Sequence, residues 1–318
     1  MATILTTSPA FAKVGDLPDR IAAAGFDLVR VPEDGPDFRK ALAGAAYLVA
    51  GLPAVDAGVM DAGPKLKGIL KHGVGVDSID VAAATARGLP VCSTPGANAQ
   101  AVAEMALGAI FALARNMVAG HLTVASGGWD RRRGWEVAGR TLGILGFGQV
   151  GRRLARMARG VGMQVIAHDP YPAVGVAEDL GVRLGTMEEV LAAADVLSLH
   201  LAGGPDTDGL IGESALAQMK PGAVLLNYAR GSILDLDAVA AALDDGRLSG
   251  AAIDAFEAEP PDTAHPIFTA PNVLFSPHSG ADTEDSLIRV GEMVLEDIET
   301  LAAGGMPARA LNAKELTA

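Results

Sequence analysis

One cysteine in 318 residues, Cys92, leaves no partner for an intrachain disulfide and no cysteine cluster for a metal. It lies in the apolar stretch LPVCS and reads as a small core residue. Aromatic residues are scarce at 4% while half the chain is apolar. The core must therefore be built from Ala, Val, Leu and Ile, as in proteins with buried parallel strands. Basic residues are outnumbered, 25 Lys and Arg against 38 Asp and Glu, for a net charge of −13. That balance disfavours nucleic acid or an anionic membrane as the main partner. Long hydrophobic runs are missing too: the longest apolar segment, Ala101–Ala114, is interrupted by Glu104 and is short for a bilayer. The opening residues MATILTTSPA have neither the basic nor the apolar region of a signal peptide. The expectation is a cytoplasmic chain of about two domains, at roughly 150 residues per domain.

Glycine, by contrast, is abundant at 39 residues, and three of them organise the chain. Gly146, Gly148 and Gly151 stand as G-x-G-x-x-G in TLGILGFGQVG, after a strand-like Leu142–Leu145 and before a helix-like QVGRRLARMAR. The first glycine permits a tight turn, the second a close backbone approach to a pyrophosphate, and the third close packing of helix on strand. The helix start supplies free N–H donors, so Phe147, Gln149 and Val150 join the glycines as the candidate phosphate cradle. A second strand, MQVIAHD, ends in Asp169, eighteen positions past Gly151. A carboxylate there would grip the ribose 2′-hydroxyl and repel a 2′-phosphate, which favours NAD over NADP.

Strand-like and helix-like segments alternate from the first residues (ATILTT, LPDRIAAAG, FDLVRV, DFRKALAG, AYLVAG) through LKGILK and LPVCS. This implies a parallel sheet with helices on both faces, complete before the glycine motif begins. STPGA, 93–97, is the expected hinge. A long helix from Asn98, QAVAEMALGAIFALARNMV, is apolar on more than one face and is expected at an interface between domains or subunits. The arginine-rich GGWDRRRGWEVAGR reads as a solvated loop anchored by Trp129 and Trp135. Alternation then resumes to a last strand, NVLFS. A final helix, Thr283–Ala303, is expected to cross back to the first domain, giving a two-stranded hinge and a cleft suited to a ligand. The closing PARALNAKELTA reads as a surface tail.

Ligands of open α/β sheets bind beyond the carboxyl ends of the strands. Arg230 ends LLNYARG, Glu259 lies in IDAFEAEPP and His278 in FSPHSG. Together they form a chemical set. Hydride transfer at a hydroxyl-bearing carbon needs a group to exchange the hydroxyl proton, a task suited to imidazole. A carboxylate on the other ring nitrogen would orient the ring and stabilise its charged form. A guanidinium would hold a substrate carboxylate with paired donors. Asp254, after GAAI, could accept from a nicotinamide carboxamide.

LGILGFGQVG, ADVLSLH, LLNYARGSILD, AIDAFEAEPP and SPHSGA, in that order, resemble the D-isomer-specific 2-hydroxyacid dehydrogenases, in particular their phosphoglycerate dehydrogenase-like branch. GVGVDSIDVAAATARGLPVCSTPGAN resembles that family's substrate domain. The resemblance implies an α/β architecture of two doubly wound parallel-sheet domains. A Rossmann-type NAD-binding domain (98–283) would be inserted in a flavodoxin-like substrate domain (1–97 and 284–318), usually in a homodimer. It implies the catalytic set Arg230, Glu259 and His278. Substrate contacts would come from the backbone of Val74 and Gly75, from Asn98, and from Arg230 and His278. Cofactor contacts would come from His200, Thr207, Tyr228, Ala229, Arg230, Asp254, His278 and Gly280. The implied activity is interconversion of a D-2-hydroxy acid and its 2-oxo acid, with domain closure excluding water. No metal is implied. The chain departs from the family at Gly51, where phosphoglycerate-oxidising members commonly carry Arg, and at Ala202-Gly203-Gly204, where Pro-Leu-Thr is usual. Without a further regulatory domain, feedback control by an amino acid is not expected. Glyoxylate or hydroxypyruvate reduction is the alternative within the family, and a dinucleotide-sensing corepressor the alternative outside catalysis.

Overall fold

The computed structural model describes residues 1–32, 37–171 and 174–317. Residues 33–36 and 318 of the expected substrate domain, and 172–173 of the expected NAD-binding domain, lie outside the described residues. The chain divides into two compact units, 1–98 with 281–318, and 99–280.

The first unit runs β1 (Ala2–Thr6), α1 (Leu17–Ala23), β2 (Phe26–Arg30), α2 (Phe38–Leu42), β3 (Tyr47–Ala50), α3 (Ala57–Asp61), β4 (Gly68–Lys71), α4 (Val81–Ala86) and β5 (Val91–Cys92). All pairings are parallel, in the order β2-β1-β3-β4-β5, the flavodoxin-like order. Strands β3 and β4 are buried along their whole length, which is why they read as continuous apolar runs rather than alternating ones.

The second unit opens with α5 (Ala99–Ala114) and α6 (Met117–Ala125). These are not the single helix expected from Asn98. Asn116 takes a left-handed φ of +51°, and the axis turns by 61°. Next come β6 (Thr141–Leu145), α7 (Gln149–Gly160), β7 (Gln164–His168), α8 (Val174–Asp179), β8 (Arg183–Leu184), α9 (Met187–Ala193) and β9 (Val196–Leu199). The unit ends with α10 (Glu213–Gln218), β10 (Ala223–Asn227), α11 (Leu236–Asp244), β11 (Leu248–Ile253) and β12 (Val273–Phe275). Its seven strands are parallel, in the order β12-β11-β10-β9-β6-β7-β8. Successive residues face opposite sides of the sheet. Leu142, Ile144, Val196, Val224 and Leu226 thus fill one core layer, and Leu145, Leu197, Leu199 and Leu225 the other.

The chain then returns to the first unit as α12 (Glu284–Ala302) and α13 (Ala313–Thr317). Thr283 caps α12 by accepting from the Ser286 N–H at 3.2 Å. Val294, Leu295 and Ile298 of α12 join Leu17, Ile21 and Leu70 in one buried cluster. The last stretch is not the surface tail expected from its composition. Asn312 is 2% exposed; its Oδ1 accepts from Val91 N–H at 3.0 Å, and its Nδ2 donates to Leu89 O and Thr85 Oγ1, each at 2.9 Å. Residues 310–312 thereby cover strand β5, whose outer edge would otherwise expose unpaired backbone groups. Cys92 is buried beside this contact, and burial pushes its thiol up to about 12. Among the described residues no single helix is long and apolar enough to cross a membrane.

Candidate active site

In the second unit the glycine loop joins β6 to α7. Gly146 has φ +94°, and a Cβ there would sit 2.5 Å from the His200 carbonyl group. A Cβ at Gly151 would lie 2.3 Å from Gly146 O. Gly148 caps α7 with no side chain over the first N–H groups, and a Cβ on it would meet only open space. The loop is therefore an uncovered helix N-terminus approached by bare backbone, which suits a pyrophosphate. Arg152 ties the loop down, donating from Nε to Phe147 O at 2.8 Å, with its guanidinium 5.8 Å from the Phe147 ring centre.

Asp169 follows β7. One carboxylate oxygen accepts from Phe147 N–H and the other from Tyr171 N–H, both at 2.8 Å. Each carboxylate oxygen has a second lone pair, so the group keeps acceptor capacity for a ribose hydroxyl. His200, at the end of β9, bonds through Nε2 to Ser198 Oγ at 2.9 Å. Burial lowers its pKa to about 3, and it is neutral at pH 7. Thr207 donates to Ala202 O at 2.8 Å, holding the turn that replaces Pro-Leu-Thr. The residues present fit a dinucleotide.

Beyond the ends of β10, β11 and β12, three loops converge. Asn227 is fully buried and shapes the first, donating to Arg230 O at 2.8 Å and accepting from Ala229 N–H at 3.1 Å. Arg230 Nη1 donates to Ala229 O at 2.9 Å. At Gly231 a Cβ would lie 1.9 Å from the Phe256 carbonyl carbon, so the Arg230 turn rests on the backbone just ahead of Glu259. Glu259 accepts from Phe256 N–H at 3.0 Å, and both its oxygens lie 2.9 Å from His278 Nδ1.

Asp254 holds the His278 loop. Its carboxylate accepts from Ser276 Oγ at 2.5 Å and from the N–H groups of Ser279 and Gly280 at 2.9 Å. The His278 N–H donates to Asp254 O at 2.8 Å. This set of bonds secures the left-handed φ of +50° at His278, a conformation side chains rarely adopt. Tyr228 stands nearby, its hydroxyl pKa raised by burial and then by the Asp254 charge. Sequence reasoning misses Asn227 and Ser276 altogether. The turn-forming run Ser-Pro-His-Ser-Gly is the one signal that could have pointed to Ser276.

In the first unit, Val74 and Gly75 lie in the loop after β4, and neither N–H donates to a backbone carbonyl among the described residues. Thr94 closes the base of this loop, donating from N and Oγ1 to Gly73 O at 3.0 and 2.9 Å. Asn98 is partly buried immediately before α5. Trp129, expected as a loop anchor, is 78% exposed; Trp135 alone packs on the core, with Arg140 over its ring at 5.6 Å. A cavity of about 200 Å³ lies beside Trp135, Asp195 and Lys220, at the amino ends of the strands and away from His278. There Asp195 already accepts from Thr141 N–H and Lys220 Nζ.

Residues 107–280 match the family model of the D-isomer specific 2-hydroxyacid dehydrogenase, NAD binding domain, and the chain belongs to this family. It is 39% identical over 301 residues to the D-3-phosphoglycerate dehydrogenase of Mycobacterium tuberculosis, covering 93% of this chain and 57% of that protein. It thus spans little more than half the length of that relative. It is also 36% identical over 267 residues to the glyoxylate reductase of Aeropyrum pernix, covering 81% and 80% of the two chains. Among solved structures, a glyoxylate reductase from Paecilomyes thermophila superposes with a TM-score of 0.85 at 28% identity, covering 98% and 99%.

Proposed function

We propose that the chain is an NAD-dependent oxidoreductase interconverting a D-2-hydroxy acid and its 2-oxo acid. The observation that carries this reading is the His278 Nδ1–Glu259 contact at 2.9 Å, at the strand ends of an NAD-binding domain. Bound NAD supplies the hydride chemistry at C2. Glu259 fixes the ring through Nδ1 and stabilises the imidazolium, which leaves Nε2 to exchange the proton with the C2 oxygen. Arg230 offers paired donors to the substrate carboxylate. On the first unit, the N–H groups of Val74 and Gly75 are the proposed carboxylate contacts and the side chain of Asn98 a further polar substrate contact, which makes unit 1 the substrate domain and unit 2 the NAD-binding one. Cofactor contacts are assigned to Gly146–Gly151, Asp169, His200, Thr207, Tyr228–Arg230, Asp254, His278 and Gly280.

A homodimer in the cytoplasm belongs to the same proposal. Met117, Val118, Leu122 and Val124 of α6 and the neighbouring Trp129 expose apolar surface. Residues 99–160 carry nine arginines against three carboxylates in an otherwise acidic chain. An apolar patch with a basic border suits a second, acidic copy of the same chain. Sedimentation as a monomer at micromolar concentration refutes the dimer.

The activity is tested by NADH absorbance loss with hydroxypyruvate, glyoxylate, pyruvate and 3-phosphohydroxypyruvate. Turnover by the wild type and its loss in His278→Ala, with NADH still bound, is the expected result. Binding of NADH with no turnover of any 2-oxo acid refutes the enzymatic reading.

A further inference from the structure

The arginine-rich stretch ahead of the glycine loop ends in a cluster of donors that the proposed mechanism does not use. The cluster lies within the second unit, at the amino ends of β6, β9, β10 and β11. It surrounds the cavity of about 200 Å³ lined by Trp135, Arg140, Asp195, Lys220 and Ser249. Asp195 is the one carboxylate among the lining residues. Its Oδ2 accepts from Thr141 N–H at 2.8 Å. Its Oδ1 accepts from Lys220 Nζ at 3.1 Å, with Arg140 Nη1 3.8 Å away. The Arg140 guanidinium also sits over the Trp135 ring, 5.6 Å from its centre, a cation–π contact that helps to fix it. A strand rises about 3.3 Å per residue, so Thr141 and the glycine loop, at opposite ends of β6, are roughly 16 Å apart.

Donors at this cavity outnumber acceptors. Among the described residues the Arg140 guanidinium makes no hydrogen bond, and neither do Ser249 Oγ and Trp135 Nε1. Lys220 uses one of its three ammonium hydrogens on Asp195. Asp195 is shared between two cations and a backbone N–H, which leaves one positive charge over. The backbone at the rim is already satisfied: Gly222 N–H donates to Arg247 O at 2.8 Å and Ala223 N–H to Lys220 O at 3.0 Å. The side chains of Arg140 and Lys220 are 48% and 40% exposed, so solvent reaches the donors. A chain of net charge −13 thus carries a local positive excess around a small hollow, with four kinds of donor to spare.

We propose that this cavity is a second binding site, which takes a phosphate group, either inorganic phosphate or a small phosphate monoester. A tetrahedral phosphate accepts from several directions, so guanidinium, ammonium, hydroxyl and indole N–H can all reach it, and its charge answers the excess positive one. A carboxylate has two oxygens in one plane and leaves part of this donor set unanswered. A cation would meet Arg140 and Lys220 with the one carboxylate already engaged. The volume corresponds to roughly seven waters at about 30 Å³ each, room for a phosphate on a short organic stub and too little for a dinucleotide. The site depends on neither the 2-oxo acid reading nor the proposed catalytic residues.

Equilibrium dialysis with radiolabelled inorganic phosphate tests the site, at physiological ionic strength to screen diffuse surface charge. Saturating NAD+ is included so that the glycine loop is filled. The expected result is saturable binding that weakens about 10-fold in Arg140→Gln and in Lys220→Gln, the worth of a charge-assisted hydrogen bond partly screened by solvent. Arg156→Gln, which removes an exposed arginine of α7, should leave the affinity unchanged. Arg140→Gln removes no hydrogen bond of the guanidinium, so its fold is expected to persist and its melting curve to match the wild type. No binding to the wild type, loss of binding when NAD+ is added, or equal weakening in Arg140→Gln and Arg156→Gln overturns the inference. Location is read separately in Trp129→Phe, where Trp135 is the one remaining tryptophan. Its emission should change over the same phosphate range, and a constant emission while phosphate binds overturns the inference. Glycerol 3-phosphate should displace the label. Displacement at lower concentration than phosphate itself supports a monoester as the occupant, and displacement at higher concentration supports free phosphate. Acetate that displaces the label equally well overturns the assignment to phosphate.

Discussion

Replacing Glu259 by Gln keeps the size of the side chain and removes the charge that faces His278. Both Glu259 oxygens lie 2.9 Å from Nδ1, a distance typical of a charge-assisted hydrogen bond. Such a bond contributes about 1.5–3 kcal/mol. The two side chains are 32% and 27% exposed, so solvent screens part of that. At about 1.4 kcal/mol per factor of ten, the screened bond predicts a kcat about 10- to 50-fold lower for 2-oxo acid reduction. The loss falls on turnover, because the ring is no longer held at Nδ1 by a charged partner while Nε2 gives up its proton. NADH affinity should stay within about twofold, as the carboxylate contacts Phe256 N–H and His278 rather than the glycine loop. Stopped-flow reduction kinetics and NADH fluorescence titration separate the two quantities. An unchanged kcat, or a parallel collapse of NADH binding, refutes the assignment of Glu259 as the partner that fixes the imidazole.

Three further outcomes are expected. Asn312→Ala leaves Val91 N–H and Leu89 O without their partner, and chemical denaturation should report a loss of about 2–4 kcal/mol; a change below about 0.5 kcal/mol would show that the clasp over β5 is not structural. His72 has a folded pKa of about 4 against 6.5 ordinarily, so its neutral form favours the folded state. That stability is complete above pH 6.5 and is lost as pH falls toward 4, by about 3 kcal/mol in all. The melting curve of His72→Leu should lack that part of the acid slope, and an identical slope in the two proteins would exclude His72 as its source. Asp169→Arg should move the cofactor preference from NADH toward NADPH, since it replaces the ribose acceptor with a cation; an unchanged preference means that another group reads the ribose.

What could be read from the residues is what local rules enforce. A positive φ at Gly146 and the close contact at Gly151 follow from the spacing of the motif, because nothing but glycine fits those places. The parallel order of the sheets follows from strand–helix alternation, and the strand ends single out Arg230, Glu259 and His278. Distances among them do not follow, since Arg230 and His278 are placed by separate loops that Asn227 and Asp254 shape through bonds to backbone. The misjudged places share a cause. Asn312 reads as tail because its partners, Leu89 and Val91, lie more than two hundred residues away. Trp129 reads as an anchor because indole is usually buried, yet among its neighbouring glycines and arginines it stands 78% exposed. The break at Asn116 interrupts an apolar pattern whose composition continues through it.

The discontinuity of the first unit sets an order of assembly on the ribosome. When residues 1–98 emerge, β1–β5 and α1–α4 are available, but α12, which covers Leu17, Ile21 and Leu70, has not been synthesised. Residues 99–280 form one uninterrupted stretch and hold every element of their own sheet by the time Gly280 leaves the exit tunnel. Domains fold as units during synthesis. The nascent chain therefore carries a finished nucleotide-binding half tethered to an open, helix-deficient one, whose apolar face stays bare until α12 arrives.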